Sequence, residues 1–298
     1  MPVRPSLVTA VLLLAVLGVS LSGPLVRLSG APAIAIATWR LGFSLVIIAV
    51  PLIVGGSWRQ WRRLTRTDLA LALLGGVLLA LHFWSWNTSI AWTTIAASVV
   101  LVNVQPLVVA ALSAWWLHEA PTRQQWIGIS VAMLGALVVV LPDLRGSDAA
   151  LSDGRAVIGD ALAVAGAVTA AGYYVIGRRL RAGLDLWSYT ALVYGACFVT
   201  LLAIAAATAT PLGPYPPREI GIFAGLALGP MLLGHTGLNW ALRHARAYQV
   251  NIVLLGEPVG ATMLAALLPG IRELPGIFTI AGGAIVLVGI LLAERRRS

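Results

Sequence analysis

Two charged side chains stand inside long apolar stretches, where a charge needs either a partner or a function. Arg40 lies seven residues after Ala33, where its apolar stretch begins, and that spacing is roughly 10 Å along a helix. A guanidinium at this depth can bind a substrate carboxylate through two parallel hydrogen bonds. The alternative is a structural arginine that pairs with a neighbour or extends its head to the lipid headgroups.

Glu257 is the only carboxylate well inside an apolar stretch, since the other ten acidic residues fall in loops or near helix ends. Pro258 follows it and lacks a backbone donor, so we expect the helix to break or kink there. A carboxyl group held away from water can exchange a proton near neutral pH. Glu257 is therefore a candidate for proton coupling or for binding a substrate ammonium group, with a structural hydrogen bond to a neighbouring helix as the alternative.

Neutral polar and aromatic residues in the apolar stretches complete the candidate binding site. Spacings of four residues put His82 with Trp86, and His235 with Asn239, on one helix face each. Such groups suit a mostly apolar, weakly polar organic substrate, whereas hydrogen bonding between packed helices is the alternative role. The predicted substrate-binding residues are Arg40, His82, Trp86, Asn103, Tyr173, His235, Asn239 and Asn251.

The composition places these residues in a membrane protein. Hydrophobic residues make up 59% of the 298 positions, charged residues make up 10%, and the mean hydropathy is +0.91. A soluble domain carries roughly 25% charged residues, so lipid must cover most of this surface. The net charge of +9 comes from 20 arginines that lie mostly in short loops, which is typical of membrane topology and does not indicate nucleic-acid binding.

Apolar runs long enough to cross a bilayer, which takes about 20 residues, occur ten times in the chain. The arginines of the connecting segments divide 14 to 5 between the two membrane faces if the N-terminus is cytoplasmic. By the positive-inside rule both termini are then cytoplasmic. The expected spans are Leu7–Val26, Ala33–Val54, Leu69–Ser89, Ala96–Leu117, Gln125–Leu141, Ile158–Gly177, Leu186–Thr208, Ile220–Leu242, Tyr248–Leu268 and Gly276–Ala293.

The chain contains an internal repeat. Sliding the sequence by 152 residues aligns Asn87 with Asn239 and Gln105-Pro106 with Glu257-Pro258. Because each half holds five spans, the second half enters the membrane upside down relative to the first, as in many alternating-access transporters. We predict an all-α integral membrane protein with ten transmembrane helices in two inverted five-helix repeats, residues 1–145 and 156–295.

Several of these features together resemble a known family. Trp39-Arg40 opens the second span, a proline lies in the fourth span of each half, and Glu119 and Glu273 are each followed by glycine nine residues later. Over essentially the whole chain this pattern resembles the EamA-type permeases of the drug/metabolite transporter superfamily. The resemblance implies an inner-membrane carrier that exports small metabolites or amino-acid-like compounds, without naming the substrate.

The remaining sequence features narrow the function. No phosphate-binding loop and no Cys/His cluster occurs in the sequence, so we expect neither ATP drive nor a metal, and no cofactor. Glycines recur in the fifth and tenth spans, which are expected to be packing elements or a homodimer surface. Glu119 and Glu273 are expected to cap helices or to close gates through Arg123 or Arg272. A passive facilitator, a lipid-handling membrane enzyme and a structural subunit are the alternatives to a coupled carrier.

The predicted orientation can be tested at the loop between the two halves. A Ser147→Cys variant is expected to react with a membrane-impermeant thiol reagent from outside only, because the loop faces out in the predicted topology. The native Cys197 lies inside an apolar stretch, so the parent protein serves as the unlabelled control. Labelling from the cytoplasmic side would overturn the orientation.

Overall fold

The computed structural model describes residues 4–144, 155–271, 274 and 276–294. Within these residues all regular secondary structure is helical and no strand occurs, which confirms the all-α class. The expected roles of Arg272 and Glu273, and the loop position Ser147, lie outside the described residues.

Ten helical segments, α1–α10, follow one another through the described ranges. Eight of them are long and apolar enough to cross a membrane, judged by length and composition. The other two are α5 and α10, and the apolar part of α10 covers only Ile280–Ala293. The segments are α1 Pro5–Leu28, α2 Ala33–Val54, α3 Arg66–Trp92, α4 Ile95–Leu117, α5 Arg123–Leu144, α6 Arg155–Arg181, α7 Leu186–Ala207, α8 Pro217–Ala241, α9 Ala247–Leu267 and α10 Ile277–Glu294.

Local sequence explains where several helices begin. A capping box starts α3, where the Thr65 hydroxyl accepts from the backbone N–H of Asp68 at 3.1 Å and the Asp68 carboxylate accepts from the backbone N–H of Thr65 at 3.3 Å. Asp185 caps α7 by accepting from the backbone N–H of Ser188 at 2.8 Å. These caps satisfy backbone donors that have no partner within the helix.

Three helices are broken near their middle, each next to a proline. A proline cannot donate to the carbonyl four residues earlier, so the helical ladder is interrupted there. The break that Pro258 predicts in α9 is present, and Pro106 and Pro24 accompany equivalent breaks in α4 and α1. The resulting pieces are Pro5–Ser20 and Ser22–Leu28 in α1, Ile95–Val102 and Gln105–Leu112 in α4, and Ala247–Leu254 and Glu257–Leu267 in α9.

Two stretches of wider π-helix, which the sequence pattern did not predict, interrupt α8 and end α4. In α8 the π segment is Ala227–Thr236, between the α-helical parts Pro217–Leu226 and Gly237–Ala241, and it contains Pro230. In α4 it is Ser113–Leu117. π segments often occur at functional sites, and the one in α8 carries His235.

Helices from the two halves pack against each other through the centre of the bundle. The helix α1 packs on α8 and α9, and α3 packs on α6 and α7. Small residues permit the close crossing of α1 and α8, since a Cβ on Gly18 would lie 2.8 Å from the backbone N of Gly234. The central space is therefore bounded by both halves.

The helices α5 and α10 pack against each other, as their glycines predict. A Cβ on Gly128 would lie 2.5 Å from the backbone N of Ala293, and a Cβ on Gly289 would lie 2.5 Å from the backbone N of Ala132. The backbones touch at both positions. These glycines are thus used within one chain, and the homodimer stays a prediction.

Adding a single methyl group at this contact tests its contribution. We expect Gly289→Ala to lower the melting temperature in detergent, because overpacking a close contact costs about 1–3 kcal/mol. The matched control is Gly195→Ala in α7, where a Cβ would meet no heavy atom within 4 Å, and where the melting temperature should not fall. Equal melting temperatures for the two variants would contradict the proposed contact.

Candidate substrate site in the central cavity

A small cavity lies at the centre of the bundle and is bounded by six helices from both halves. Its volume is about 30 Å³, enough for a water molecule or two and far below the roughly 300–1,000 Å³ of a typical ligand pocket. The cavity is therefore closed to a metabolite in this conformation. It is lined by Val19 and Ser22 of α1, His82 and Trp86 of α3, Val102, Asn103 and Gln105 of α4, Tyr174 of α6, His235 of α8, and Leu254 and Glu257 of α9.

The broken helices α4 and α9 deliver matching residues to this cavity. Gln105 is the first residue after the break in α4, and its repeat mate Glu257 is the first residue after the break in α9. Both side chains line the cavity. The start of a helix favours a negative charge, so the position suits the carboxylate of Glu257.

Glu257 is hydrogen-bonded to the other half of the protein. The side-chain amide of Asn103 donates to Oε2 of Glu257 at 3.4 Å and to the carbonyl of Val99 at 2.8 Å. In the described residues no arginine lies within 4 Å of the Glu257 carboxylate. One side-chain amide of the first half thus holds the Glu257 carboxylate of the second half. The rest of the carboxylate is available to groups in the cavity.

Arg40 is fully buried, with 0% of its surface exposed, so the alternative in which its head reaches the headgroups is wrong. Its guanidinium carbon lies 4.2 Å from the ring centroid of Phe83. One terminal nitrogen donates to the Ser22 hydroxyl at 3.5 Å, the other lies 3.9 Å from the sulfur of Met231, and Nε has no hydrogen-bond partner among the described residues.

No carboxylate of the described residues lies within 4.0 Å of the Arg40 guanidinium. An aromatic face, a hydroxyl and a thioether stabilise a cation less than a carboxylate does. Electrostatic attraction to Glu257, which does not contact it directly, offsets part of the cost of burying this charge. Arg40 is not itself among the residues that line the cavity, and its bond to the lining residue Ser22 places the guanidinium behind the cavity wall.

Two histidines and two larger aromatic rings form one side of the cavity. Nδ1 of His82 lies 3.0 Å from the carbonyl of Gly166. Because a carbonyl only accepts, that nitrogen carries hydrogen, and Nε2 is left to accept in the neutral ring. The ring stacks on Trp86 with centroids 6.2 Å apart and lies 6.1 Å from the ring of His235, and the hydroxyl of Tyr174 is 3.5 Å from His235 Nδ1.

Four of the predicted binding residues lie outside the cavity lining, namely Arg40, Tyr173, Asn239 and Asn251. The side-chain amide of Asn239 donates to the hydroxyls of Tyr173 at 2.5 Å and Tyr194 at 3.2 Å, which joins α8 to α6 and α7. Asn251 accepts from Gln105 and donates to the carbonyl of Ala247 at 2.9 Å. In this conformation Tyr173, Asn239 and Asn251 hold helices together behind the site.

The lining also contains polar residues that the sequence prediction left out: Ser22, Gln105 and Tyr174. Gln105 could have been predicted from the sequence, because the internal repeat aligns it with Glu257. Ser22 and Tyr174 have no distinguishing spacing, because their roles depend on the break in α1 and on the packing of α6.

At one end of the bundle the two halves are joined by an ion pair. Glu119, after α4, pairs with Arg178 of α6 at 2.7 Å, and Nη1 of Arg178 donates to the carbonyl of Leu242 at 2.8 Å. The prediction that Glu119 pairs with Arg123 is therefore wrong. The pair forms because the end of α6 packs beside the ends of α4 and α8, an arrangement that sequence spacing does not predict.

The opposite end of α8 is joined to α1 and the turn that follows it. Glu219 accepts from the Ser29 hydroxyl at 2.5 Å and from the Gly30 backbone N–H at 3.2 Å. Arg218 donates to the carbonyl of Leu28 at 2.8 Å. The two halves are therefore tied together at both ends of the bundle in this conformation.

Comparison with known proteins identifies relatives of the whole chain. The model of the EamA-like transporter family matches residues 7–141 and 157–294. The chain is 26% identical over 274 residues, 89% of each protein, to an "Uncharacterized transporter" of Archaeoglobus fulgidus. It is 30% identical over 238 residues, 78% of each protein, to the pseudopaline exporter CntI of Pseudomonas aeruginosa.

A solved protein crystal structure has the same fold. It superimposes with a TM-score of 0.73 over 98% of both chains at 17% sequence identity. At that identity the likeness concerns the fold alone.

Proposed function

Because the chain belongs to the EamA-like transporter family, we propose that it is a secondary carrier of small metabolites or amino-acid-like compounds. Its membership supports membrane transport and points away from an enzyme. The observation that carries the proposal is the buried guanidinium of Arg40, which bonds to the cavity-lining residue Ser22 and has no carboxylate within 4.0 Å in the described residues.

The proposed architecture is ten spans in two inverted repeats, with α5 and α10 joining the eight helices that are long and apolar enough. The contacts of α1 with α8 and α9, and of α6 with α3 and α4, support it, since exchanging the halves converts one set into the other. The 14-to-5 division of arginines supports cytoplasmic termini in a cell inner (plasma) membrane.

The proposed mechanism is alternating access. The Glu119–Arg178 pair lies at the cytoplasmic end in this orientation, and the Glu219 contacts lie at the outer end. Opening one end requires its ties to break while those at the other end hold. A central cavity too small for a metabolite, with ties at both ends, is the state expected between the two open states of such a cycle.

The substrate chemistry follows from the groups that meet at the cavity. A carboxylate would satisfy Arg40, and His82 Nε2, the amide of Asn103 and the Trp86 ring offer weaker polar and stacking contacts. We propose that Tyr173, Asn239 and Asn251 shape the site through the helices they join. Export is the proposed direction, supported by the relative named as a pseudopaline exporter.

Glu257 is the proposed coupling residue. When it is ionised, Asn103 can donate to it and hold α4 to α9. A proton or a substrate ammonium group on the carboxylate competes with that bond. Exchange of a proton for the substrate ammonium group would link the charge of the site to the contact between the halves. Protons are therefore the proposed coupling ion. A passive facilitator would not link the charge of Glu257 to the contact between the halves.

Replacing Arg40 by an apolar side chain of similar length distinguishes a role in substrate binding from a structural role. Cells that overproduce the protein are expected to release more of at least one carboxylate-bearing metabolite in a panel screen. Arg40→Met should remove that increase. Its melting temperature should stay close to that of the parent, because Arg40 makes no direct ion pair in the described residues and a methionine side chain can fill most of its space.

Arg40→Lys is the matched control, because it keeps the cation but loses the paired donors. It should retain part of the transport with a KM raised about tenfold or more, since hydrogen bonds to charged groups contribute about 1.5–3 kcal/mol each. Unchanged export by Arg40→Met would refute the binding role. A large fall in its melting temperature would instead indicate a structural arginine.

Coupling at Glu257 is tested in proteoliposomes with the substrate that the screen identifies. We expect Glu257→Gln to lose accumulation driven by a pH gradient while keeping substrate exchange, because the amide cannot release a proton. Glu257→Asp, which keeps a carboxyl group, should retain some driven accumulation. Undiminished uphill transport by Glu257→Gln would exclude the coupling role.

A further inference from the structure

A group of arginines after α2 has no role in the central site. The 3₁₀ helix Ser57–Arg63 connects α2 to α3 and carries the exposed residues Arg59, Arg62 and Arg63, and Arg66 is exposed at the start of α3. None of the four lies within 4.0 Å of a carboxylate in the described chain. The nearby carboxylate of Asp68 accepts from the Thr65 hydroxyl at 2.7 Å. Four cations within eight residues are left without an anionic partner.

The depth of this segment is set by the length of α2. With 22 residues, α2 is about 33 Å long, close to the roughly 30 Å of the hydrocarbon core. Its last residue, Val54, is 83% exposed, as expected for a residue that faces lipid tails. The segment that follows Val54 therefore lies at the level of the lipid headgroups.

Two of the arginines are gathered around one tryptophan. The guanidinium carbons of Arg59 and Arg62 each lie 5.5 Å from the ring centroid of Trp58. Tryptophan favours the membrane interface, and its ring attracts cations. The ring thus anchors two guanidinium groups in the layer where lipid phosphates are found.

The backbone of the segment is fixed by the second half of the protein. The side chain of Gln60 donates to the Asp185 carboxylate at 2.5 Å and accepts from the Asp185 backbone N–H at 3.0 Å. The indole N–H of Trp61 donates to the carbonyl of Ser188 at 3.2 Å. Gln60 and Trp61 therefore anchor one side of the segment, while the exposed arginines project outward. This anchoring lowers the entropy lost when a ligand binds.

We propose that the segment Trp58–Arg66 binds the headgroup of an anionic phospholipid. The guanidinium groups of Arg59 and Arg62 hold the phosphate, because their paired donors match its geometry, and Arg63 and Arg66 add to the local positive potential. A lipid is the expected ligand because the site lies in the headgroup layer, where anionic lipids are concentrated and attract basic segments of membrane proteins.

Titration of the purified full-length protein in neutral detergent with phosphatidylglycerol or phosphatidylcholine tests this site. Phosphatidylglycerol is expected to raise the melting temperature in a saturable manner, since a ligand of the folded state stabilises it, and to stay bound in native mass spectrometry. Phosphatidylcholine should do neither. Arg59→Gln/Arg62→Gln should weaken phosphatidylglycerol binding about 30-fold.

The matched control, Arg4→Gln/Arg243→Gln, removes two exposed arginines elsewhere on the same proposed face and should bind phosphatidylglycerol like the parent. Arg59→Lys/Arg62→Lys keeps the charge and should bind with intermediate affinity. Equal weakening in the Gln double variant and the control would overturn the proposal in favour of diffuse attraction. If the Gln double variant does not fold, Arg63→Gln/Arg66→Gln replaces it. Equal binding of the two lipids to the parent protein would also overturn the proposal.

Discussion

The guanidinium of Arg40 imposes the central constraint on this bundle. Its side chain is 0% exposed, and its direct neighbours in the described chain are a phenylalanine ring, a hydroxyl and a thioether. Removing an ion from water costs several kcal/mol after relaxation. These groups and the longer-range attraction to Glu257 return part of that cost, and packing of the whole bundle must supply the rest. In the proposed function, an anionic substrate would provide the direct partner that Arg40 lacks in the described residues.

The packing that supports this charge depends on helices that are not straight. Prolines in α1, α4 and α9 free backbone groups near the centre, and the break in α4 places Asn103 and Gln105 where they contact Glu257 and Asn251 of α9. One of these contacts joins neutral amides and does not respond to charge. The other includes a carboxylate and does. The α4–α9 interface therefore combines a constant bond with a charge-dependent one, and Asn103, Gln105 and Glu257 all line the cavity.

Much of this arrangement follows from sequence. Apolar length predicts the helices, the 152-residue repeat pairs Gln105 with Glu257, and a spacing of four residues places His82 beside Trp86 on the cavity wall. Periodicity, however, describes one helix at a time. The partner of Glu119, the inclusion of Tyr174 and Ser22, and the position of Asn239 behind the site all depend on which helices touch. The π segment of α8, which carries His235, has no simple sequence pattern, and regular helical spacing is therefore unreliable through it.

The energetic problem at Arg40 also bears on why both ends of the bundle are tied. A buried cation with no direct ion pair in the described residues would draw water or anions from whichever side opens, so a leak is suppressed only if the two ends are never open together. The Glu119–Arg178 pair and the Glu219 contacts lie beyond opposite ends of α8, and α8 contacts both α1 and α2 through its π segment. In the proposed cycle, a tilt of α8 that broke the ties at one end would press its other end against the opposite half. A single helix with a π segment at its centre would then make the two closures alternate.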